Sequence, residues 1–133
     1  MSLDSIRAAI ENAKAEGKHE VAALIIEPMF ADGGEIWITD DYAQKVRALT
    51  KELGVYLIVD EVQTGKGTTG KHWAHEYWEL DSPPDFVTFA KKSLVGGFFY
   101  NEDTVMLAKG MNESTFGGDP VRVMMLAAQN ECI

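Results

Sequence analysis

The stretch that decides the fold is GVYLIVDEVQTG, which runs from Gly54 to Gly65. Its first part, Val55 to Val59, is a short and almost wholly apolar run, the pattern of a strand buried on both faces of a parallel sheet. The run ends in two carboxylates, Asp60 and Glu61, where such a strand leaves the sheet. Because open α/β sheets bind ligands at the carboxyl ends of their strands, we expect a site at this point.

A second stretch, TFAKKSLVGG (residues 88–97), supports a ligand site at the end of this strand. A lone aspartate commonly does no more than end a strand, and Lys91 and Lys92 would normally be two surface lysines. Here Lys91 follows the apolar run Phe86 to Phe89 and precedes a segment too apolar for an open surface, so we expect it to be partly shielded from water. Partial desolvation activates an amine for Schiff-base chemistry. A carboxylate and an amine at neighbouring strand ends could then contact opposite sides of one flat cofactor.

The rest of the chain alternates between helical and strand patterns. Helical spacing predicts a first helix that starts near Leu3, a second capped by Asp40 or Asp41, a third segment from about Lys71 to Leu80, and a fourth from Val121 to Cys132. Strands are predicted at 21–26, 55–59 and 86–89, with a fourth after Gly96. Strands separated by helical crossovers indicate an α/β fold with a mostly parallel sheet and helices on both faces.

Composition and charge exclude several classes of function. The 133 residues suit one domain or a piece of one, and the net charge of −9 argues against partners such as nucleic acid and anionic membrane surfaces. No run approaches the roughly 18 apolar residues of a membrane span. Cys132 is the only cysteine, so neither an internal disulfide nor a thiolate metal cluster is expected. The acidic opening segment resembles neither a secretory signal nor a transit peptide.

Two further motifs could bind ligands but are better explained otherwise. His72 and His75 lie three residues apart, yet the zincin pattern is absent, so the pair is expected to pack and no metal site is predicted. The glycines between Gly65 and Gly70 lack the Gly-Lys-Ser/Thr ending of a nucleotide-binding loop. We expect that segment to be a flexible turn near a ligand.

With these residues in view, the chain resembles the pyridoxal-phosphate aminotransferases of the class that acts on ω-amino groups, and within it the 4-aminobutyrate aminotransferases. The matching segments are IIEP (25–28), VDEVQTG (59–65), TGKHWAHEYWELDSPPD (69–85), TFAKK (88–92), GGFF (96–99) and GDP (118–120). The resemblance implies the type I, aspartate-aminotransferase-like fold. Residues 1–133 would be part of its cofactor-binding large domain, without the upstream phosphate-binding segment and the C-terminal small domain.

The same resemblance implies a cofactor site for pyridoxal 5′-phosphate. Lys91 would carry the cofactor and move the substrate proton. Asp60 would pair with the ring nitrogen, Val62 would pack against the ring, and Gln63 would hydrogen-bond near the phenolic oxygen. Thr115 would bind the cofactor phosphate of a neighbouring subunit, which implies a homodimer.

The implied reaction transfers the amino group of 4-aminobutyrate to 2-oxoglutarate, with Glu27 helping to match the site to amino donor and 2-oxo acid acceptor. Eukaryotic members of the family imply the mitochondrial matrix. Two alternatives remain open: another ω-aminotransferase or aminomutase of the same fold, and a truncated non-catalytic chain. Since the arginines that bind substrate carboxylates are not found in it, we expect the chain to be inactive alone.

Overall fold

The computed structural model of the chain describes residues 2–17, 20–104 and 117–132. Within these ranges the helices are α1 (Leu3–Ala15), α2 (Asp40–Leu53) and α3 (Pro120–Glu131), with 3₁₀ turns at Ala74–Trp78 and Lys91–Ser93. The strands are β1 (Ala23–Ile26), β2 (Met29–Phe30), β3 (Ile36–Trp37), β4 (Tyr56–Asp60), β5 (Phe86–Phe89) and β6 (Gly97–Tyr100). No helix in the described ranges is long and apolar enough to cross a membrane.

The main sheet has the order β1-β4-β5-β6. β1, β4 and β5 are parallel, and β6 joins the edge of β5 in the antiparallel direction. The strands β2 and β3 form a separate antiparallel pair within a segment whose sequence shows only a loop pattern. The predicted α/β class with a mostly parallel sheet is confirmed.

Capping explains where the second helix begins and ends. The expectation that Asp40 or Asp41 caps α2 is wrong, because Thr39 lies in extended backbone and its hydroxyl accepts the Tyr42 N–H at 3.3 Å. The two aspartates instead occupy the first helical turn, where a carboxylate is favoured by the helix dipole. Gly54 ends the helix with a φ of +67°, a conformation that glycine adopts without steric cost.

The core lies between one face of the sheet and a layer formed by α1, α2 and the first 3₁₀ turn. Its buried members are Ile6, Ile26, Ala43, Val46, Leu49, Leu57, Val59, Trp78 and Val87. On the opposite face, which we call the open face, Ile25 is 57% exposed and Tyr56 45% exposed. The expected burial of β4 on both faces is therefore met on one face only, because the described helices packed against it cover a single side.

One buried ion pair ties α2 to the strands. Arg47 Nη1 donates to Asp85 Oδ2 at 2.6 Å, and Arg47 Nε donates to Ser82 Oγ at 3.0 Å. The same Asp85 oxygen accepts the backbone N–H of Leu57 at 2.7 Å, inside β4. Burial raises the pKa of Asp85, but the bonds from Arg47 and Leu57 outweigh it and hold this pKa below its ordinary value.

Candidate active site

The ends of three parallel strands bring the predicted site residues to one edge of the sheet. Ile26 pairs with Val59, so Glu27, one residue beyond β1, stands level with Asp60 at the end of β4. Asp60 in turn pairs with Thr88 of β5, three residues before Lys91. Neighbouring strands lie about 4.8 Å apart. Glu27, Asp60 and Lys91 are therefore grouped at one edge of the sheet.

The two adjacent acids at the end of β4 point to opposite faces, as side chains along a strand do. Leu57 and Val59 face the helix layer and are fully buried, which directs Asp60 to the open face. Glu61 follows the buried set and is only 1% exposed. Of the pair, only Asp60 is therefore placed to meet a ligand on the open face.

Asp60 and Thr88 both retain hydrogen-bonding capacity on that face. Asp60 Oδ1 accepts the Val62 N–H at 2.9 Å, while Oδ2 has no donor among the described residues. Thr88 Oγ1 is buried and has no hydrogen-bond partner in the described part of the chain. Since buried polar groups are nearly always paired, an unpaired hydroxyl beside a half-free carboxylate fits a bound polar molecule. The residues present thus fit a cofactor that carries a ring N–H.

The turn after β4 is fixed by Glu61. Its Oε1 accepts the backbone N–H of His75 at 2.8 Å and lies 2.9 Å from His75 Nδ1, while its Oε2 accepts the Thr64 hydroxyl at 2.5 Å. Burial raises the pKa of Glu61, but the bonds from His75 and Thr64 outweigh it and lower this pKa below its ordinary value. The buried carboxylate is therefore held as an anion.

Both histidines of this segment contact neighbouring side chains in the structure. The His72 ring meets the Trp73 ring in an edge contact, with centroids 4.9 Å apart, and His75 contacts Glu61. In the described ranges, no group of three or more histidine, cysteine, aspartate and glutamate side chains is arranged to hold a metal ion.

The two lysines after β5 differ in their surroundings. Lys92 Nζ donates to Thr68 Oγ1 at 2.6 Å, whereas the Lys91 ammonium has no partner among the described residues. The expectation that Lys91 is shielded from water is wrong: it is exposed, with a φ of +47°, because it begins a turn of which only Ser93 is buried. The free amine at this edge is thus Lys91.

The remaining predicted residues are described in part. Val62 and Gln63 lie half-buried in the turn after β4. Glu27 is also half-buried, and its Oε2 accepts the Ala31 N–H at 3.4 Å. Thr115 lies outside the described residues. The Thr88 hydroxyl was not predicted from the sequence, although its position next to the last residue of β5, level with Asp60, could have indicated it.

Comparisons with known proteins identify the family of the chain. The model of the aminotransferase class-III family matches residues 2–133. A 4-aminobutyrate aminotransferase of Dictyostelium discoideum is 51% identical over 80% of this chain and 21% of its own length. The mitochondrial 4-aminobutyrate aminotransferase of Homo sapiens is 44% identical over 83% of this chain and 22% of its own. The chain thus spans about a fifth of the length of these curated relatives.

Solved structures give the same result. A transaminase from the marine bacterium Virgibacillus superposes with a TM-score of 0.84 at 29% identity, covering 98% of this chain and 31% of that one. The ornithine aminotransferase of Plasmodium yoelii gives 0.74 at 31% identity, over 98% of this chain and 35% of that one. Both the family match and these superpositions extend over nearly every residue, and the chain belongs to the class-III aminotransferases.

Proposed function

We propose that the protein serves the transfer of the amino group of 4-aminobutyrate to 2-oxoglutarate, giving succinate semialdehyde and glutamate, with pyridoxal 5′-phosphate as cofactor. The observation that carries the proposal is that Lys91, whose amine has no partner among the described residues, and Asp60, with one carboxylate oxygen unbonded there, lie at the ends of neighbouring parallel strands. The names of the relatives favour 4-aminobutyrate as the amino donor.

When bound, the cofactor supplies an electron sink for the substrate carbon. The chain's own residues would hold it and move protons. Asp60 Oδ2 would keep the proton on the ring nitrogen, Val62 would pack against the ring, and Gln63 would hydrogen-bond near the phenolic oxygen. Lys91 Nζ would attach the cofactor, and once released it would accept the proton from the substrate carbon and return it.

The proposal also covers the choice of substrate and the assembly of subunits. Glu27 stands level with Asp60 and would help the site to accept both the amino donor and the 2-oxo acid. Thr115 would reach the cofactor phosphate of a second copy, which makes the working form a homodimer. Mitochondrial relatives support the mitochondrial matrix as the location.

Residues 1–133 would then form part of a cofactor-binding large domain. The exposed apolar side chains of the open face support this assignment, because the strands of a mostly parallel sheet are normally covered on both sides. A different ω-amino donor is the second candidate, since ornithine aminotransferases are among the superposed structures. Measuring the binding of 4-aminobutyrate and of ornithine to the protein loaded with pyridoxal 5′-phosphate, which needs no turnover, distinguishes the two donors.

The proposal is tested by locating the cofactor's attachment point. The protein is incubated with pyridoxal 5′-phosphate, reduced with borohydride, digested and mapped by mass spectrometry. We expect the pyridoxyl group on Lys91, with the label lost in Lys91→Arg and retained in the matched control Lys92→Arg. A label on Lys92, or labelling that is spread over surface lysines, would refute the assignment.

A further inference from the structure

Glu61 is a buried carboxylate to which the proposed mechanism gives no role. It is 1% exposed and directly follows Asp60, yet it points away from the open face. A buried charge is costly unless it is fully hydrogen-bonded. Here Thr64 and the backbone and ring of His75 bond the two carboxylate oxygens, at 2.5 to 2.9 Å. Such a satisfied network usually fixes one local conformation.

The conformation in question is the turn of residues 61–65, and Glu61 holds it at three points. Its N–H donates to the Thr88 carbonyl at 3.0 Å, and its own carbonyl accepts the Gly65 N–H at 2.9 Å. Its side chain is held to Thr64 at the far end of the turn. Inside the turn, the Val62 N–H donates to Asp60, so the Asp60 carboxylate is oriented by the same unit.

We infer that Glu61, bonded by Thr64 and His75, is a positioning residue that fixes residues 60–63 in the conformation that presents Asp60 and Gln63 to the cofactor. It acts from the helix side of the sheet, through the backbone of the turn, and does not touch the cofactor. The inference rests on the proposed function in assigning the cofactor to Asp60 and Gln63, while the rigidity of the turn can be measured without any cofactor.

The test compares two substitutions at one buried position. Thr64→Val keeps the shape but removes the hydroxyl that bonds Glu61, and Thr64→Ser keeps the hydroxyl. Glu61→Gln is the direct variant, and Glu102→Gln, at an exposed acid, is its matched control. Two quantities are measured on the chain: hydrogen exchange at the Val62 and Gly65 amides without cofactor, and the dissociation constant of pyridoxal 5′-phosphate.

We expect Thr64→Val and Glu61→Gln to speed exchange at both amides, and to raise the dissociation constant, about tenfold each, the effect of one lost bond to a charged group. Thr64→Ser and Glu102→Gln should stay within about twofold, because each change leaves that bond in place. A merely structural role would lower overall stability and speed exchange at protected amides throughout the chain to a similar degree, with no excess at these two amides and no change in the cofactor affinity.

Equal behaviour of Thr64→Val and Thr64→Ser in both measurements would overturn the inference. If Glu61→Gln does not fold, the two Thr64 variants still test whether Glu61 fixes the turn. If the unmodified chain binds no pyridoxal 5′-phosphate, the proposed function fails in that experiment. The exchange measurements then decide separately whether Glu61 fixes the turn, with unchanged exchange in Thr64→Val overturning it.

Discussion

The buried ion pair between Arg47 and Asp85 leads to a specific prediction about the free energy of unfolding. The Arg47 side chain is 3% exposed and that of Asp85 10% exposed, and their atoms approach to 2.6 Å. Asp85→Asn preserves the shape and can still accept the Leu57 N–H, but it leaves the Arg47 charge buried without its counter-ion. The perturbation therefore removes the charge of the carboxylate together with the longer bond that Oδ1 accepts from Arg47 Nη2 at 3.4 Å.

The size of the expected loss in the free energy of unfolding follows from the burial of both partners. Removing one partner of a buried ion pair typically costs about 3–5 kcal/mol, because the other charge is left uncompensated. Arg47 keeps its bonds to Ser82 Oγ and the Pro83 carbonyl, so the lower end of that range is expected for Asp85→Asn. Arg47→Met should cost a similar amount, since it leaves the Asp85 carboxylate with the Leu57 N–H.

The assay is urea unfolding followed by tryptophan fluorescence, with the buried Trp78 as the internal probe. The two single variants and the double variant Arg47→Met/Asp85→Asn form a double-mutant cycle. We expect the double variant to lose less free energy of unfolding than the sum of the single variants, because neither charge then remains buried alone. The matched control is Glu52→Gln, which breaks an exposed pair.

That control has similar geometry at the surface, since both Arg7 Nη atoms donate to Glu52, at 2.8 and 2.7 Å. Solvent screens this pair, so its loss should leave the unfolding midpoint unchanged within error. The reasoning would be refuted if Asp85→Asn had an equally small effect, or if the single variants of the buried pair were simply additive.

Three further predictions concern the turn, acid stability and turnover. Gly65→Ala should lower the free energy of unfolding by about 1–3 kcal/mol, because its Cβ would lie 2.6 Å from the Trp73 ring; Gly96→Ala, which meets nothing within 4 Å, should be neutral in the same urea titration. Because the pKa values of Glu61 and Asp85 are lowered in the folded state, their stabilisation is present at neutral pH. This stabilisation should be lost as the pH falls below the ordinary pKa values of 4.5 for Glu61 and 3.8 for Asp85. In acid titrations followed by fluorescence, the free energy of unfolding of Glu61→Gln should fall less steeply with pH, because the variant lacks one of the two carboxylates. Finally, the 133-residue chain alone should form no glutamate from 4-aminobutyrate and 2-oxoglutarate, and detectable glutamate in a coupled assay would contradict this.

Much of the fold could be predicted because its signals are local. The apolar run at β4 and the acids that end it are adjacent in sequence, and the helical crossovers imply parallel strands. Parallel strands place their carboxyl ends at one edge, so the placement of Asp60 and Lys91 at neighbouring strand ends followed from topology alone. The antiparallel direction of β6 did not follow, because the sequence after Gly96 indicates a turn and a strand but not its partner.

The parts that were missed depend on contacts between distant residues. Asp85 is buried and bonded by Arg47, 38 positions earlier, and Glu61 is buried and bonded by His75, 14 positions later. No local pattern separates a buried acid from an exposed one when its partner is that far away. The cap of α2 was missed for a different reason, since Thr39, Asp40 and Asp41 are all good capping residues and only the backbone geometry selects Thr39.

The division of roles between Asp60 and Glu61 is a consequence of one-sided packing. The helix layer buries the face that carries Leu57 and Val59, so the chain must bury the second acid of the pair and leave the first on the open face. Glu27 and Thr88 stand level with Asp60 on the flanking strands. A ligand that pairs with Asp60 therefore has to approach from the open face. Because side chains alternate along the strand, Glu61 cannot contact the cofactor, but it can fix the conformation of the turn from the helix side of the sheet.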